Sequence, residues 1–351
     1  MLFPNVHPDV LHLVQHVKFI PAYIQLVSRH LQPQRHHFFF VQGGEHYEPD
    51  GSVKITRGSD YQSRVAFSWS LAKSLNQAGK IVLHGLFSSH LIILLWLQPW
   101  LWKRCYWVIW GGDLYTYADR RGGWRWRIKE LFRKPLIRHF GHLVTYIPGD
   151  VLLAQKWYGA TGSYHECLSY PSNLFYGGDI PPRGGGGVNV LLGNSADRSN
   201  EHFEAYLMLE KFRDKNIHIY APLSYGDHRY AQEVAAQGRM LFGSKFTPLL
   251  DFLPLEEYSK LLAKIDVAVF NHRRQQAMGN TTTLLGMGKK VFMRRDVTPW
   301  NFYVDLGVTI FDVREFNLEP LERSKAFANH RRVAEYFTED RLVEQWKKIL
   351  L

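Results

Sequence analysis

The chain has 351 residues, 46% hydrophobic and 21% charged, and its 15% aromatic content includes 11 Trp. That is long for one domain, comfortable for two, and excludes a disordered or disulfide-stapled chain. The net charge of +11 is uneven: residues 1–183 hold 20 Lys and Arg against 11 Asp and Glu, residues 184–351 hold 23 against 21, so an anionic partner (phosphates, nucleic acid or acidic membrane) would meet the first half.

Apolar runs predict strands over 10–14, 37–41, 81–84, 106–110 and 142–147. Between them, helices are predicted over 20–30, 61–76, 90–96, 125–139 and 149–158. The helix over 61–76 sets Val65, Trp69, Ala72 and Leu75 on roughly one side. Glycines at strand ends (Gly43 and Gly44; Gly111 and Gly112) complete the pattern of a mostly parallel, doubly wound sheet. Pro181, Pro182 and Arg183 with four glycines at 184–187 form the strongest break, suited to a linker and a hinge. The pattern then restarts, with strands over 188–192, 217–221, 266–270 and 291–293. Helices follow over 201–212, 228–238, 256–264, 282–287 and 340–350. The expected architecture is α/β: a domain over 1–180, another over 188–338, and a last segment over 339–351 placed to cross back to the first.

Cys105 and Cys167 are too few for a disulfide framework or a four-ligand zinc site, and their apolar runs suit buried thiols in a reducing cytosol. The longest apolar stretch, 91–102, is interrupted by Gln98 and Pro99 and falls short of the roughly 20 residues a membrane span needs. No leader-like pattern opens the chain, so it reads as soluble or peripheral.

The octet Gly193-Asn194-Ser195-Ala196-Asp197-Arg198-Ser199-Asn200 lies between a strand and a helix. A strand-end Gly, small hydroxyl residues and a helix N-terminus together make an anion site. The plainer alternative is that Ser199 or Asn200 caps the helix, with Glu201 and Glu204 in its first turn. A second loop, Asn271-His272-Arg273-Arg274-Gln275-Gln276, leads through Met278 into Gly279-Asn280-Thr281-Thr282 and a helix starting near Thr281 or Thr282. Two guanidinium groups, two amides and a Gly-Asn-Thr turn are what a diphosphate needs in the absence of a metal; a solvated basic loop is the alternative. Between these loops, Phe252 and Leu253 precede a helix opened by Pro254, and Tyr220 and Tyr225 end a strand. A nucleobase could rest there, although core packing accounts for each aromatic alone.

In the first half, Trp110-Gly111-Gly112-Asp113-Leu114-Tyr115 places an acid on a flexible strand end, where a general base facing a cleft would sit. His16 and His84 also fall at strand ends and compete for that role. There is no Asp-x-Asp pair to hold a divalent ion beside a diphosphate, and the adjacent His36 and His37 point to opposite sides of a strand. Finally, Trp100, Trp102, Lys103 and Arg104 precede a run containing Arg120, Arg121, Trp124, Arg125, Trp126 and Arg127. Cations interleaved with Trp suit the interface of an anionic membrane; no recognised nucleic-acid motif surrounds them, and no nucleic-acid partner is expected.

On three sets of residues the chain resembles glycosyltransferase family 56, the TDP-N-acetylfucosamine:lipid II transferases (4-alpha-L-fucosyltransferases) of enterobacterial common antigen synthesis. They are the segment 110–115, the octet with His202 and Glu204, and Arg274-Gln275-Gln276 with Gly279. The resemblance spans nearly the whole chain. It implies a GT-B fold of two Rossmann-like domains facing across a cleft. It implies metal-independent, inverting transfer from a TDP-sugar to a polyprenyl-diphosphate-linked acceptor on the cytoplasmic face of the bacterial inner membrane. Carried over, Gly193, Asn194, Ser195 and residues 273–279 become donor-site candidates. Asp113 as base, with Arg273, Arg274 and the turn at 279–281 stabilising the departing diphosphate, follows from chemistry, not from the family. Two rival readings share the architecture: a two-domain sugar-nucleotide epimerase, and a basic membrane- or nucleic-acid-binding protein with a degenerate nucleotide site.

Overall fold

The computed structural model describes residues 9–42, 51–119, 123–182 and 185–351. Gly43, Gly44, Arg120, Arg121, Arg183 and Gly184 lie outside them. The chain divides into two compact units, one of Met1–Ser172 with Glu339–Leu351, the other of Asn173–Thr338.

The first unit runs β1 (Val10–Gln15), α1 (Ile20–His30), β2 (His36–Gln42), β3 (Lys54–Thr56), α2 (Arg64–Gln77), β4 (Lys80–His84), α3 (Ser89–Trp96), β5 (Cys105–Val108), α4 (Gly112–Asp119), α5 (Gly123–His139), β6 (His142–Val144), α6 (Pro148–Tyr158) and β7 (Ser163–His165). Its seven strands pair in parallel in the order β3-β2-β1-β4-β5-β6-β7. Helices on both faces leave no wet side, so β1, β4 and β5 are apolar almost throughout. The core, around Leu13, Leu83, Trp107 and Leu143, is fully buried.

The second unit runs β8 (Val188–Leu192), α7 (His202–Leu209), β9 (Ile217–Pro222), α8 (His228–Phe242), β10 (Phe246–Leu249), α9 (Leu255–Lys264), β11 (Val267–Phe270), α10 (Met278–Gly286), β12 (Lys290–Met293), α11 (Thr298–Asp305), β13 (Phe311–Asp312) and α12 (Arg323–Tyr336). The strand order is β10-β9-β8-β11-β12-β13, again all parallel. The last helix, α13 (Glu339–Leu350), belongs to the first unit. Its Trp346 indole donates to Ser169 O at 2.9 Å and lies 5.2 Å from the Tyr23 ring, and Lys80 donates to Ile349 O.

Several expectations change. The helix expected from residue 61 starts at Arg64, where Ser63 caps it by accepting from Ala66 N–H. Leu71 and Leu75 form its buried side, whereas Val65 and Trp69 are 79% and 77% exposed. The helix expected near Thr281 starts one turn earlier, at Met278, which brings Gly279, Asn280 and Thr281 into its first turn. The short strands β3, β7, β10 and β13 and the helices α4, α11 and α12 were not anticipated. Both cysteines are buried and free. Among the described residues, no helix is long and apolar enough to cross a membrane.

Candidate active site

In open α/β sheets ligands bind beyond the carboxyl ends of the strands where the order reverses. Each unit has such a point: β1 pairs with both β2 and β4, and β8 with both β9 and β11. His16 follows β1 and is exposed, its N–H bonded to Gln42 O at 3.0 Å. Gly85 follows β4 at φ +77°, where a Cβ would lie 2.7 Å from the Phe87 ring.

The two other base candidates of the first unit are enclosed. Asp113 lies in the first turn of α4 and has no exposed surface. Its Oδ2 accepts from Leu86 N–H (2.9 Å) and Trp107 Nε1 (2.7 Å), its Oδ1 from Trp110 and Leu114 N–H (both 3.0 Å). Burial pushes its carboxyl upwards, opposed by the Trp107 bond, the Arg133 charge and the amides of Trp110 and Leu86. All four side-chain partners are donors, so Asp113 ties strand ends together and does not face a cleft. His84 Nδ1 shares a 2.7 Å hydrogen bond with Tyr170 OH, whose oxygen accepts the Trp110 indole N–H (2.7 Å). Its Nε2 meets His12 Nδ1 at 3.1 Å, and His12 Nε2 meets His36 Nδ1 at 2.9 Å. Burial drives His84 down to about 3 and His36 to about 4. Of the three candidates only His16 is accessible.

The second unit brings the two sequence loops together. Arg274 donates from Nε to Ser199 Oγ (3.1 Å) and from Nη2 to Asp197 Oδ2 (3.1 Å). Gln276 donates to Asn194 Oδ1 (2.8 Å) and Ser195 Oγ (3.2 Å), and Arg273 N–H bonds Ser199 O (3.0 Å). Burial pushes Asp197 up, but Arg274 and Ser199 outweigh it and hold its carboxyl below the usual value. Asn200 returns to Asn194 N–H and Ser195 Oγ instead of capping α7. Two non-glycine residues in the left-handed region, Glu201 (φ 50°) and Ala277 (φ 57°), stand at the heads of α7 and α10. Strain of this kind clusters at ligand sites.

The anion reading therefore moves from the octet to α10. The start of α7 holds Glu201 and Glu204, and Arg273 turns to them (Nε to Glu201 3.0 Å, Nη2 to Glu204 3.7 Å). Two acids there repel an anion. The octet instead buttresses the loop at 273–276. The N-terminus of α10 likewise has no side-chain cap but carries no acid in its first turn, and Arg274, Gln276, Met278 and Thr281 line a recess beside it with His272. Asn280 is held by its bond to Tyr258 OH (2.8 Å). Arg198 points away, to Glu233 and over the Tyr230 ring. Tyr220 is half-buried on β9 beside His218, Gln275 is buried, and Phe252 and Leu253 lie in the loop before α9. Arg294, which follows β12 and pairs with Asp296 and Glu204, carried no sequence signal.

The cationic, Trp-bearing segments form part of a wider surface. Trp100 and Trp124 are 60% and 67% exposed, with Arg125 over the Trp124 ring, and Lys103 and Arg127 are exposed. Trp102 and Trp126 are half-buried, their indoles bonded to Leu95 O and Thr116 O, and Arg104 bonds Ala78 O. Arg121 lies outside the described residues. Exposed Val65 and Trp69 on α2, Ile93 on α3 with Leu97 just after it, and Ile128 and Leu131 on α5 were missed. These helices are neighbours through Ser68–His90 and Trp96–Phe132. The missed signal was a periodic apolar face that reads equally well as core.

A family model described as 4-alpha-L-fucosyltransferase, glycosyl transferase group 56, matches residues 12–350, nearly the whole chain. Among solved structures, the chain is similar to HepE of Anabaena in complex with UDP and glucose (11% identity, 98% of this chain and 99% of that one, TM-score 0.68). It is also similar to sucrose-phosphate synthase of Thermosynechococcus elongatus (12%, 97% and 98%, 0.67). A third is WaaG, a glycosyltransferase involved in lipopolysaccharide biosynthesis (12%, 97% and 98%, 0.62). At these identities the likeness speaks for the fold, which is GT-B.

Proposed function

We propose a specific reaction for this chain, which belongs to the 4-alpha-L-fucosyltransferase family, glycosyl transferase group 56. It is the inverting, metal-independent transfer of a deoxy-amino sugar, N-acetylfucosamine, from a TDP-sugar to a polyprenyl-diphosphate-linked oligosaccharide. Membership makes the chain a glycosyltransferase with a nucleotide-sugar donor and a glycan acceptor. The finer reading is carried by the uncapped N-terminus of α10 beside Arg274. Free helix-end amides and a guanidinium suit a departing diphosphate.

In this reading Arg274, Gln276, Gly279, Asn280 and Thr281 hold the diphosphate. Gly193, Asn194 and Ser195 back them, and Tyr220, Phe252 and Leu253 flank the nucleobase. His16 takes the proton of the acceptor hydroxyl as its oxygen bonds to the anomeric carbon. The carbon–oxygen bond to the diphosphate breaks, and its electrons leave with the nucleotide. The exposed Trp and cations of α2, α3 and α5 set the enzyme on the anionic inner face of the bacterial inner membrane, where a lipid-linked acceptor resides.

The test is to incubate the full chain with TDP-N-acetylfucosamine and a polyprenyl-diphosphate-linked acceptor, with and without a chelator. Product of inverted anomeric configuration, formed equally in both, is expected. Retained configuration, a chelator-sensitive rate or no transfer counts against the reading.

A further inference from the structure

The carboxyl end of β11 holds buried polar groups that lack hydrogen-bond partners. Asn271 and His272 are 1% and 4% exposed. Both amide ends of Asn271 and the Nε2 of His272 are buried without a hydrogen-bond partner. Gln275 Oε1 and His202 Nε2 are in the same condition. Asn271, His272 and Gln275 lie on one loop after β11, and His202 opens α7. Arg273 N–H pins their loop to Ser199 O, and His272 and His202 are close enough for charge on one to disfavour charge on the other. At Gly193 a Cβ would lie 2.8 Å from His202 Nε2, so only a bare backbone leaves room beside that nitrogen. This locus is the switch point of the second sheet.

Unpartnered buried polar atoms are costly and rare, and a group of them calls for something that completes their bonds. Charge decides the class of partner. Burial pulls His272 down to about 3 and His202 to about 4, so both rings are neutral at pH 7, as the amides are. Neutral donors and acceptors match hydroxyl and amide groups, whereas the phosphates have Arg274 and the head of α10.

We infer that Asn271, His272, Gln275 and His202 form a subsite for the uncharged hydroxyl and amide groups of the donor's sugar. The inference rests on the donor reading above. Asn271 both gives and accepts, which a sugar bearing an amide or paired hydroxyls can answer. A site built this way rejects ligands lacking those groups, because its own atoms then stay unpaired.

The experiment is calorimetry of the full chain with TDP and with TDP-N-acetylfucosamine, for wild type and Asn271→Leu. The expected result is TDP affinity within twofold of wild type and TDP-sugar affinity at least tenfold weaker. The ligand-free melting temperature should not fall, since hydrocarbon replaces a desolvated amide. Equal weakening of both ligands, or unchanged TDP-sugar affinity, overturns the subsite while the donor reading stands. Wild type that binds neither ligand overturns both. If Asn271→Leu does not fold, Gln275→Leu is measured against the same outcomes.

Discussion

The indole Nε1 of Trp107 donates to Oδ2 of Asp113 at 2.7 Å, wholly inside the first unit. Leu86 N–H shares that oxygen, so Asp113 links the segments leaving β4 and β5. Asp113→Asn turns an NH2 group towards donors that need an acceptor. A loss of about 2–4 kcal/mol in stability is expected, read as a lower urea midpoint. An unchanged midpoint with turnover abolished would restore Asp113 as the base.

His16 carries the opposite expectation. It is exposed at the end of β1, so His16→Gln should leave the melting temperature and TDP affinity unchanged. Turnover should fall by about 100-fold or more, the usual scale of general-base catalysis. Turnover within a few-fold of wild type would remove it from the mechanism.

The two arginines of the 271–276 loop should separate. Arg274 is held by Asp197 and Ser199 beside α10, and Arg274→Ala should weaken TDP binding by roughly 10- to 100-fold. Arg273 is more than half exposed and already answered by Glu201 and Glu204, so Arg273→Ala should cost about threefold or less. Equal losses would show that both reach the phosphates.

For the membrane face, co-sedimentation with anionic vesicles should decline as salt rises. Trp69→Ser with Trp124→Ser should release the protein, because both rings are largely exposed. Trp126→Ser should have little direct effect, since that indole is half-buried and bonded to Thr116 O. Vesicle binding indifferent to salt and to the exposed pair would refute the assignment.

Stability should fall in acid. In the unfolded chain a histidine binds a proton near pH 6.5, but burial lowers His84 to about 3 and His36 to about 4, and lowers His12 as well. Below about pH 6.5 the unfolded state therefore binds more protons. Stability is full above that pH and declines towards about 3–4. His84→Gln should flatten the decline between pH 6 and 4 by up to about 1.4 kcal/mol per pH unit, measured by urea titration at each pH. An unaltered slope would mean that His84 is already protonated in the fold.

Read alone, the sequence determined the strand–helix alternation and the placing of motifs at strand ends, whereas the division between the units, expected at 181–187, falls after Ser172. Those signals are local: continuous apolar runs for buried strands, glycine where the chain turns, proline where it cannot continue. Asn271 and His272 were legible as loop residues, but not as buried atoms lacking partners. Tertiary structure alone decided that β1 and β8 sit at reversals of strand order, with His16 just beyond β1 in the first unit and Asn271 just beyond β11, the partner of β8, in the second. It also turned Asp113 inward, sent Trp69 outward and set the acids Glu201 and Glu204 against an anion at α7. Periodicity gives a helix an apolar side without naming what that side meets. A carboxylate shows its role only when distant donors close around it.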